Sequence, residues 1–530
     1  MAEKNKKKKL AIGIDLGTTN SAVGVWWKDK VEVTENREGN RITPSYGYYT
    51  TKEELIGRVA TKRLTTDPRN VLFDAKRLLA ERTTSEKLNA FREFWPFEIC
   101  DKKGDFLKKV YYLTSEGKLI PPEKVSTEIL KSLLSDVIRR YEVKEDTEVE
   151  AVITVPAYFS MAQKRATMEA ADAAGITVKQ LLSEPVAAAI SYQYETKIAK
   201  FKDGETVFVF DLGGGTFDVT IMKIEKNSYR VIALGGDSHL GGRDFDNILA
   251  RILEDALKGD IGEETVNKLR KQDKYRYRLL ELARTTKEAL TTTQNEVVAL
   301  SDLHPTATKG FEVEVDNFEQ AAEHLITKIK DCCDNTLKDS KLSAAQIDHV
   351  VLVGGSSKMA CVKNIISKIF GEDKGGTKNL NADEAIAKGA TVLAAKLLDV
   401  TSDTEIMTLN FQDALPLSLG IEVAGNKFKS ILNRNSPIPS KNNIILSTSE
   451  DFQHTAMVPI YEGRSENIVE DAYIAEIEIN GLPRKTAGEV KIEITLQLDI
   501  NGILKAEARI MDTNVVVKTD INYESTFECK

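Results

Sequence analysis

The sequence is poor in cysteine, and its five cysteines fit neither a disulfide framework nor a metal site. Their number is odd, Cys332 and Cys333 are adjacent, and no Cys-x-x-Cys spacing occurs. Thiols in this pattern are typical of incidental or buried cysteines in a reducing compartment. A chain of 530 residues can bury large hydrophobic cores, so its stability needs no covalent cross-links.

Long hydrophobic runs are also absent from the sequence. No stretch approaches the roughly 18 to 20 apolar residues that span a bilayer, and no signal-peptide core follows the N-terminus. The formal net charge of −8 argues against a nucleic-acid binder. The basic run at 6–9 is expected to be a frayed terminus, with nuclear import as the less favoured alternative. These features predict a cytoplasmic protein, or a nuclear one by that alternative, whose partners are neither membranes nor nucleic acids.

Two stretches of the chain share one order: an apolar strand, then Asp-Leu-Gly, then hydroxyl residues. They are LAIGIDLGTTNS at 10–21 and VFVFDLGGGTFDV at 207–219. Glycines let backbone N–H groups approach an anion, the aspartate can hold a metal ion, and the threonine offers a hydroxyl. A single glycine-rich turn is weak evidence for phosphate binding, whereas the repeat predicts two related half-domains that each contribute one loop. Further glycine-rich turns occur at 235–246 and 350–357.

The periodicity divides the chain into an α/β part and a β part. Strands alternate with helices over residues 10–398, and the predicted helices include 67–79, 122–141, 162–175 and 263–291. Residues 399–412 have no sustained periodicity and are predicted to be a linker. Beyond them, short alternating apolar runs and an Asn-Gly hairpin signal at 501–502 predict a β-sandwich over 413–520, followed by a tail at 521–530.

These motifs together resemble the seventy-kilodalton heat shock chaperone family. The likeness extends from about Leu10 to Asp520, and the stretches that carry it are 14–21, 210–219, VLVGGS at 351–356 and LSLGIE at 417–422. The resemblance implies an α/β, two-lobed, actin-like ATPase domain with duplicated ribonuclease H-like sheets, its lobes at about 10–200 and 201–398. A peptide-binding β-sandwich follows. No helical lid is expected, because nothing in the sequence after the sandwich resembles one.

The resemblance also implies ATP or ADP as the ligand, with Mg²⁺. Asp15 and Asp211 would hold the magnesium ion through water, and Lys76 would orient the attacking water. By itself Lys76 would be a solvated helix residue, but FDAKRL at 73–78 reproduces the family motif. Glu184 and Asp218 would surround the metal and the nucleophile. The remaining nucleotide-binding positions implied are Gly17, Thr18, Thr19, Asn20, Gly213, Gly214, Gly215, Thr216, Gly241, Gly242, Arg284, Lys287, Glu288, Thr291, Gly354, Gly355, Ser356, Lys358 and Asp383.

The sequence departs from the family pattern at the adenosine pocket and the linker. Acid and base are exchanged at Arg284 and Glu288, and Lys358 stands where the family has an arginine that stacks on adenine. Lys164 replaces an arginine that relays the nucleotide state. The linker run LNFQ at 409–412 carries two amides in place of leucines, each worth about 1.5 to 3 kcal/mol when buried. Weaker ATP binding and weaker linker docking are therefore expected.

The resemblance places a peptide site in the β-sandwich. An alanine at Ala456 stands in place of a valine and is expected to deepen the central pocket. Pro459 in the same strand is tolerated only where no ladder donor is needed. The positions that the resemblance implies for peptide binding are Ile421, Ala424, Phe428, Leu446, Ser449, Ala456 and Val458.

The leading prediction is an ATP-dependent molecular chaperone that hydrolyses ATP slowly and binds extended apolar segments of unfolded or nascent polypeptides. The family implies J-domain co-chaperones and nucleotide exchange factors as partners. The alternative is a regulatory paralogue, a co-chaperone or ribosome-associated docking module with a vestigial ATPase. A small-molecule kinase on the same two-lobed plan is disfavoured, because the C-terminal β-domain has no role in one.

Overall fold

The computed structural model describes residues 8–520 except for residues 87, 89–91, 106–107, 196–200, 226–227, 375–380, 465–466, 469–472, 512 and 514–515. The predicted tail at 521–530 lies outside the described residues. Within the described part of the chain, no helix is both long enough and apolar enough to span a membrane.

The first lobe, residues 8–195, is built on a six-stranded sheet flanked by helices. Its strands are β1 (Lys9–Asp15), β2 (Asn20–Trp27), β3 (Lys30–Val33), β4 (Thr43–Pro44), β5 (Gly47–Tyr49), β6 (Glu54–Ile56), β7 (Val71–Leu72), β8 (Glu98–Cys100), β9 (Tyr111–Leu113), β10 (Leu119–Ile120), β11 (Glu148–Val155) and β12 (Thr177–Ser183). Its helices are α1 (Arg58–Thr61), α2 (Ala75–Leu78), α3 (Pro122–Arg140), α4 (Met161–Ala173) and α5 (Glu184–Glu195). The main sheet has the order β12-β11-β1-β2-β3, with β4 paired to β2.

The second lobe, residues 201–398, repeats this plan. Its strands are β13 (Thr206–Leu212), β14 (Phe217–Glu225), β15 (Ser228–Asp237), β16 (Asn295–Ala299), β17 (Gly310–Glu314) and β18 (His349–Val353). Its helices are α6 (Gly242–Ile261), α7 (Glu263–Leu269), α8 (Asp273–Ala289), α9 (Val315–Ala321), α10 (Glu323–Ser340), α11 (Ala360–Phe370) and α12 (Ala385–Leu397).

The two main sheets have matching topology. In the first lobe, β1 pairs in parallel with β11 and forms an antiparallel hairpin with β2. In the second lobe, β13 pairs in parallel with β18 and forms an antiparallel hairpin with β14. Each hairpin turn is one of the two Asp-Leu-Gly stretches. The two lobes therefore share one strand arrangement around their Asp-Leu-Gly turns.

Helices α5 and α12 pack against each other between the two main sheets. The contact is close because the facing residues are small: a Cβ on Gly389 would lie 1.8 Å from the carbonyl oxygen of Ala187. The buried core around these helices contains residues of both lobes, among them Ala11 and Val209. The lobes are thus joined along one side by a shared core.

The linker has more regular structure than the sequence indicated. Residues Thr404–Thr408 form α13, and Asn410–Gln412 form β19, which adds in parallel to the edge of β15. The Phe411 ring stacks on the Tyr229 ring at 5.2 Å, and Leu409 is buried. Asn410 is exposed, so the amide that replaces a family leucine there leaves no polar group unsatisfied in a core.

The C-terminal part is the predicted β-sandwich. Its strands are β20 (Ser418–Val423), β21 (Lys427–Leu432), β22 (Ser440–Ser447), β23 (Thr455–Gly463), β24 (Tyr473–Asn480), β25 (Lys491–Leu498), β26 (Leu504–Ile510) and β27 (Val516–Asp520). They form two four-stranded sheets, β21-β20-β23-β24 and β22-β25-β26-β27, over one apolar core. The predicted Asn-Gly hairpin joins β25 to β26, and Gly502 has φ 72°.

The predicted continuous helix over residues 67–79 is wrong. Residues Pro68–Asn70 form a 3₁₀ turn, Val71–Leu72 pair with β5, and the α-helix is only Ala75–Leu78. Asp74 adopts φ 58° immediately before that helix, which breaks any continuous helical path. The spacing of apolar residues is compatible with a helix, but Val71 and Leu72 form strand pairs with β5 instead.

The sandwich lies against both lobes. The Asn501 side chain accepts a hydrogen bond from the Leu181 N–H at 2.9 Å, and Arg434 forms an ion pair with Asp339. Met161, the first residue of α4, packs into the sandwich core. The β-domain therefore contacts β12 and α4 of the first lobe.

Candidate functional site

A cavity of about 490 Å³ lies in the cleft between the lobes. Both Asp-Leu-Gly turns contribute to it, as the repeat in the sequence predicted. The predicted residues that line it are Asp15, Gly17, Thr18, Thr19, Asn20, Lys76, Glu184, Asp211, Gly213, Gly214, Thr216, Gly242, Arg284, Lys287, Glu288, Thr291, Gly354, Gly355, Ser356, Lys358 and Asp383. Three predicted residues, Gly215, Gly241 and Asp218, lie directly behind the lining.

The two turns touch each other across the cleft. A Cβ on Gly214 would lie 2.1 Å from the Thr19 hydroxyl, and one on Gly215 would lie 2.5 Å from the Thr18 side chain. Gly241 packs against the same turn, where a Cβ would lie 2.6 Å from the Gly215 nitrogen. Close approach of another backbone excludes a side chain at Gly241, and the threonine side chains of the first turn crowd Gly214 and Gly215.

The glycine-rich turn that follows β18 packs against the turn at 213–215. Ser356 donates a hydrogen bond to the Gly213 carbonyl at 2.9 Å. Gly354 has φ 79°, and a Cβ there would lie 2.3 Å from the Leu212 carbonyl oxygen. The position thus requires glycine both for its backbone conformation and for space.

Three carboxylates at the floor of the cavity, and Asp218 behind them, lie around one ammonium group. Lys76 donates to Glu184 in a buried ion pair. Burial, reinforced by the charge of Glu184, raises the pKa of Asp15 to about 7. Burial also raises the pKa values of Asp211 and Asp218 well above the usual range, again with Glu184 as the next cause. The ionised forms of these carboxyl groups are therefore disfavoured, and a bound cation would favour them.

The cluster fits a hydrated magnesium ion. One oxygen of Asp211, Oδ2, is buried without a hydrogen-bond partner in the described part of the chain. Within those residues, no group of three or more His, Cys, Asp or Glu side chains has the geometry to enclose a metal. Mg²⁺ keeps several of its waters and needs only one or two protein carboxylates, so Asp15 and Asp211 meet its demands.

Lys76 and Arg77 are buried, whereas their local sequence alone suggested a solvated face. Arg77 crosses the cleft: its Nε donates to the Gly215 carbonyl at 3.0 Å, and its guanidinium pairs with Asp244 at 2.5 Å. The left-handed conformation of Asp74 starts the short helix α2 that carries both residues. Arg77 was not among the predicted site residues, although it lies inside the quoted motif.

Asp218 connects the cluster to the first lobe from behind. It lies on β14 opposite Gly236, and its Oδ1 accepts the Tyr158 N–H at 3.0 Å. The Tyr158 ring in turn lies 4.8 Å from the guanidinium of Arg464, which follows β23 of the sandwich. A short path of contacts therefore joins the carboxylate cluster to the β-domain.

The far end of the cavity is lined by charged side chains. Arg284 pairs with Glu281 and with Glu288, each at 2.6 Å, so an ion pair forms between residues 284 and 288 despite the exchange of acid and base. Lys287 pairs with Asp246, which also lines the cavity, at 2.6 Å. Lys358 lies 3.9 Å from Asp383.

Several lining residues were absent from the predicted set: Ser21, Ile42, Arg243, Asp246, Met359, Ala382 and Ile386. Arg243 and Asp246 lie at the end of the glycine-rich stretch at 235–246, so that stretch was the available signal for them. The apolar members carry no chemical signature in the sequence.

The predicted peptide-site residues fall into three groups in the sandwich. Ile421 and Val458 are buried in its core. Ala424 and Ser449 are exposed in the loops that follow β20 and β22. The half-buried members are Phe428, Leu446 and Ala456.

The chain matches the model of the Hsp70 protein family over residues 11–529. It is 35% identical to the heat shock 70 kDa protein of Emericella nidulans over 502 residues, which are 94% of this chain and 75% of that protein. It is 36% identical to the heat shock cognate 70 kDa protein 3 of Dictyostelium discoideum over 513 residues, or 96% and 80% of the two chains. It is 37% identical to a ribosome-associated molecular chaperone of Saccharomyces cerevisiae over 502 residues, or 94% and 79%. The chain therefore belongs to the Hsp70 family, and it is an ATP-dependent molecular chaperone with ATPase activity.

Proposed function

We propose that this chaperone binds Mg-ATP in the cleft between its lobes and hydrolyses it slowly, with Lys76 positioning the attacking water. The observation that carries this proposal is the convergence of two aspartate-led glycine turns on one cavity that contains a buried ammonium group. Phosphoryl transfer requires alignment and charge compensation, and these groups supply both.

Each residue has a distinct role in the proposed reaction. Asp15 and Asp211 hold a hydrated Mg²⁺, which when bound offsets charge on the phosphate oxygens. The N–H groups of the turns at 17–19 and 213–215 enclose the β- and γ-phosphates, and the Thr216 hydroxyl contacts the γ-phosphate. Glu184 holds the Lys76 ammonium in place, and Asp218 completes the cluster beside the nucleophile.

We further propose that the sandwich binds extended apolar segments of unfolded or nascent polypeptides. Ala424 and Ser449 stand on two neighbouring loops, with Phe428, Leu446 and Ala456 partly accessible. Phe452, which is 62% exposed, adds an apolar side chain in the β22–β23 loop. The Saccharomyces cerevisiae relative is named ribosome-associated, which supports nascent chains in the cytosol as clients. J-domain co-chaperones and nucleotide exchange factors complete the proposed set of partners.

The alternative of a docking module with a vestigial ATPase has one observation in its favour. The Arg284–Glu288 and Lys358–Asp383 pairs give the far end of the cavity an unusual charge arrangement. Against it, Lys76, Glu184 and Asp211 remain together at the floor of the cavity. We therefore favour the active chaperone.

The experiment is release of a fluorescent apolar heptapeptide from the purified chain, followed by anisotropy with Mg-ATP, with ATP plus a chelator, and without nucleotide. Faster release with Mg-ATP alone is expected. A release rate that is the same under all three conditions contradicts the proposal and favours the docking module. The variant Ala456→Val is the matched control, because it narrows the peptide pocket and leaves the cleft unchanged.

A further inference from the structure

Two neighbours in the chain, Phe94 and Trp95, pack in different lobes. The side chain of Trp95 lies in the core of the first lobe, with Phe73 and Phe97. Phe94 is fully buried in the core of the second lobe and is the only first-lobe residue of that cluster among the described residues. The 3₁₀ turn Arg92–Phe94 contacts α8. The chain therefore inserts one aromatic ring from the first lobe into the second.

An ion-pair cluster surrounds the inserted ring. Glu93 accepts two hydrogen bonds from Arg251 of α6, at 2.8 and 3.0 Å, and a further one from Arg270. The guanidinium of Arg270 also lies 5.1 Å from the centre of the Phe94 ring. Arg270 is additionally held by Glu254 at 3.6 Å, so its position is fixed from the second lobe.

A hydrogen bond links the inserted segment to the helix that carries Lys76. The indole nitrogen of Trp95 donates to Asp74 at 3.1 Å, and Asp74 starts the helix that carries Lys76. Neither Glu93 nor Phe94 lines the cavity, so neither touches the ligand. Because the cavity lining comes from both lobes, separation of the lobes would remove the contacts that one of them makes with a ligand.

We propose that Glu93 and Phe94 form a latch that holds the lobes closed over the nucleotide and sets the rate at which the nucleotide leaves. The latch rests on the proposed nucleotide site, and its two residues influence the rate of nucleotide release from outside that site. Opening the cleft withdraws a buried phenylalanine from an apolar core, which slows release about ten- to 150-fold relative to a chain without that ring. The partly exposed ion pairs add at most about a fivefold, salt-sensitive contribution.

The test uses the full chain loaded with a fluorescent ADP and Mg²⁺, and measures dissociation after addition of excess unlabelled ATP. Phe94→Ala is expected to release the nucleotide about ten- to 150-fold faster, and Phe94→Leu, which still fills the core, within a few-fold of wild type. The hydrolysis rate in a single turnover stays the same in both variants. Phe370→Ala is the matched control, because Phe370 is buried against Phe208 within the second lobe alone. Release from Phe94→Ala at the wild-type rate, or equal acceleration by Phe370→Ala, overturns the latch.

Two further measurements keep the test decisive. If Phe94→Ala does not fold, Glu93→Lys places a cation against Arg251 and Arg270 and is expected to speed release; a wild-type rate overturns the latch. Small-angle X-ray scattering of the nucleotide-free chain reads lobe closure directly, and Phe94→Ala or Glu93→Lys is expected to show a larger radius of gyration than Phe370→Ala. Equal radii overturn the latch, whereas a wild-type chain that binds no nucleotide contradicts only the proposed nucleotide site.

Discussion

Lys76 and Glu184 form an ion pair at the floor of the cleft, with only 5% and 6% of their side chains exposed. The two residues come from different elements, α2 and the first turn of α5. Asp15, Asp211 and Asp218 lie around the pair, and burial raises the pKa of each while the charge of the Lys76 ammonium group lowers it. The pair therefore fixes the position of Lys76 before any nucleotide is present.

Glu184→Gln is expected to slow hydrolysis by about 100- to 1,000-fold while ATP binding stays within a few-fold of wild type. The amide keeps the shape of the side chain but loses the charge that holds the ammonium group. Single-turnover hydrolysis and equilibrium binding measure the two effects separately. Glu281→Gln, which removes a carboxylate near the far end of the cavity, serves as the control. Equal loss of binding and of hydrolysis would argue against a positioning role.

Asp211→Asn is expected to raise the melting temperature of the nucleotide-free protein and to reduce the stabilisation by Mg-ATP. Burial raises the pKa of Asp211, so at any pH above the ordinary range of an aspartate this carboxyl group destabilises the empty fold, and a neutral amide removes that penalty. The same amide is a poorer magnesium ligand. Calorimetry with and without Mg-ATP gives both quantities. A lower melting temperature without ligand, together with an unchanged Mg-ATP shift, contradicts the assignment.

Docking of the sandwich is expected to weaken as pH rises from about 6 to 8. Glu462 on β23 is buried against α4, where it accepts the Met161 N–H at 3.4 Å, and burial raises its pKa to about 7. Lys164 is the one charge that lowers this pKa. Undocking exposes the carboxyl group, returns its pKa to the ordinary range, and so releases a proton in this window. Docking is therefore favoured below about pH 7 and falls about tenfold between pH 6 and pH 8.

Energy transfer between dyes on α3 and β26 measures this docking equilibrium. Glu462→Gln cannot titrate and is expected to remove the dependence on pH across this window while the domains stay docked. If the variant keeps the full wild-type dependence, another group is responsible.

Phe411→Ala is expected to weaken linker docking by at least about 0.5 to 1.5 kcal/mol, because it removes the stack on Tyr229. Asn410→Ala is the matched control, because Asn410 is next to Phe411 in the chain and its side chain is exposed. Peptide release with Mg-ATP measures the outcome. Phe411→Ala is expected to reduce the acceleration of peptide release by Mg-ATP, and Asn410→Ala is expected to leave it unchanged. The opposite result would contradict the docking of the linker through β19.

The sequence predicts the parts of the fold that repeat. The paired Asp-Leu-Gly turns indicate two half-domains and one shared cavity; the strand order repeats in the two lobes, and both turns line one cavity. The Arg284–Glu288 ion pair also follows from spacing, because residues four apart meet on a helix. These features depend on local chemistry that neighbouring residues specify.

Features that depend on distant partners cannot be predicted in this way. Phe94, Trp95 and Phe97 form one apolar cluster in sequence, and only the tertiary structure decides that Phe94 enters the other lobe. The local sequence indicates that Arg77 lies on a solvated helix face. In the structure it is buried, because it donates a hydrogen bond to the Gly215 carbonyl of the second lobe. The linker strand β19 exists because β15 offers a free edge, which linker composition does not reveal.

The most direct measurement is single-turnover hydrolysis of ATP by Lys76→Ala, compared with wild type at saturating Mg²⁺. Because Lys76 is proposed to position the attacking water and not to hold the nucleotide, hydrolysis is expected to fall to the background rate while ATP affinity stays within a few-fold. Hydrolysis at the wild-type rate would contradict the assignment of the cleft chemistry to this lysine.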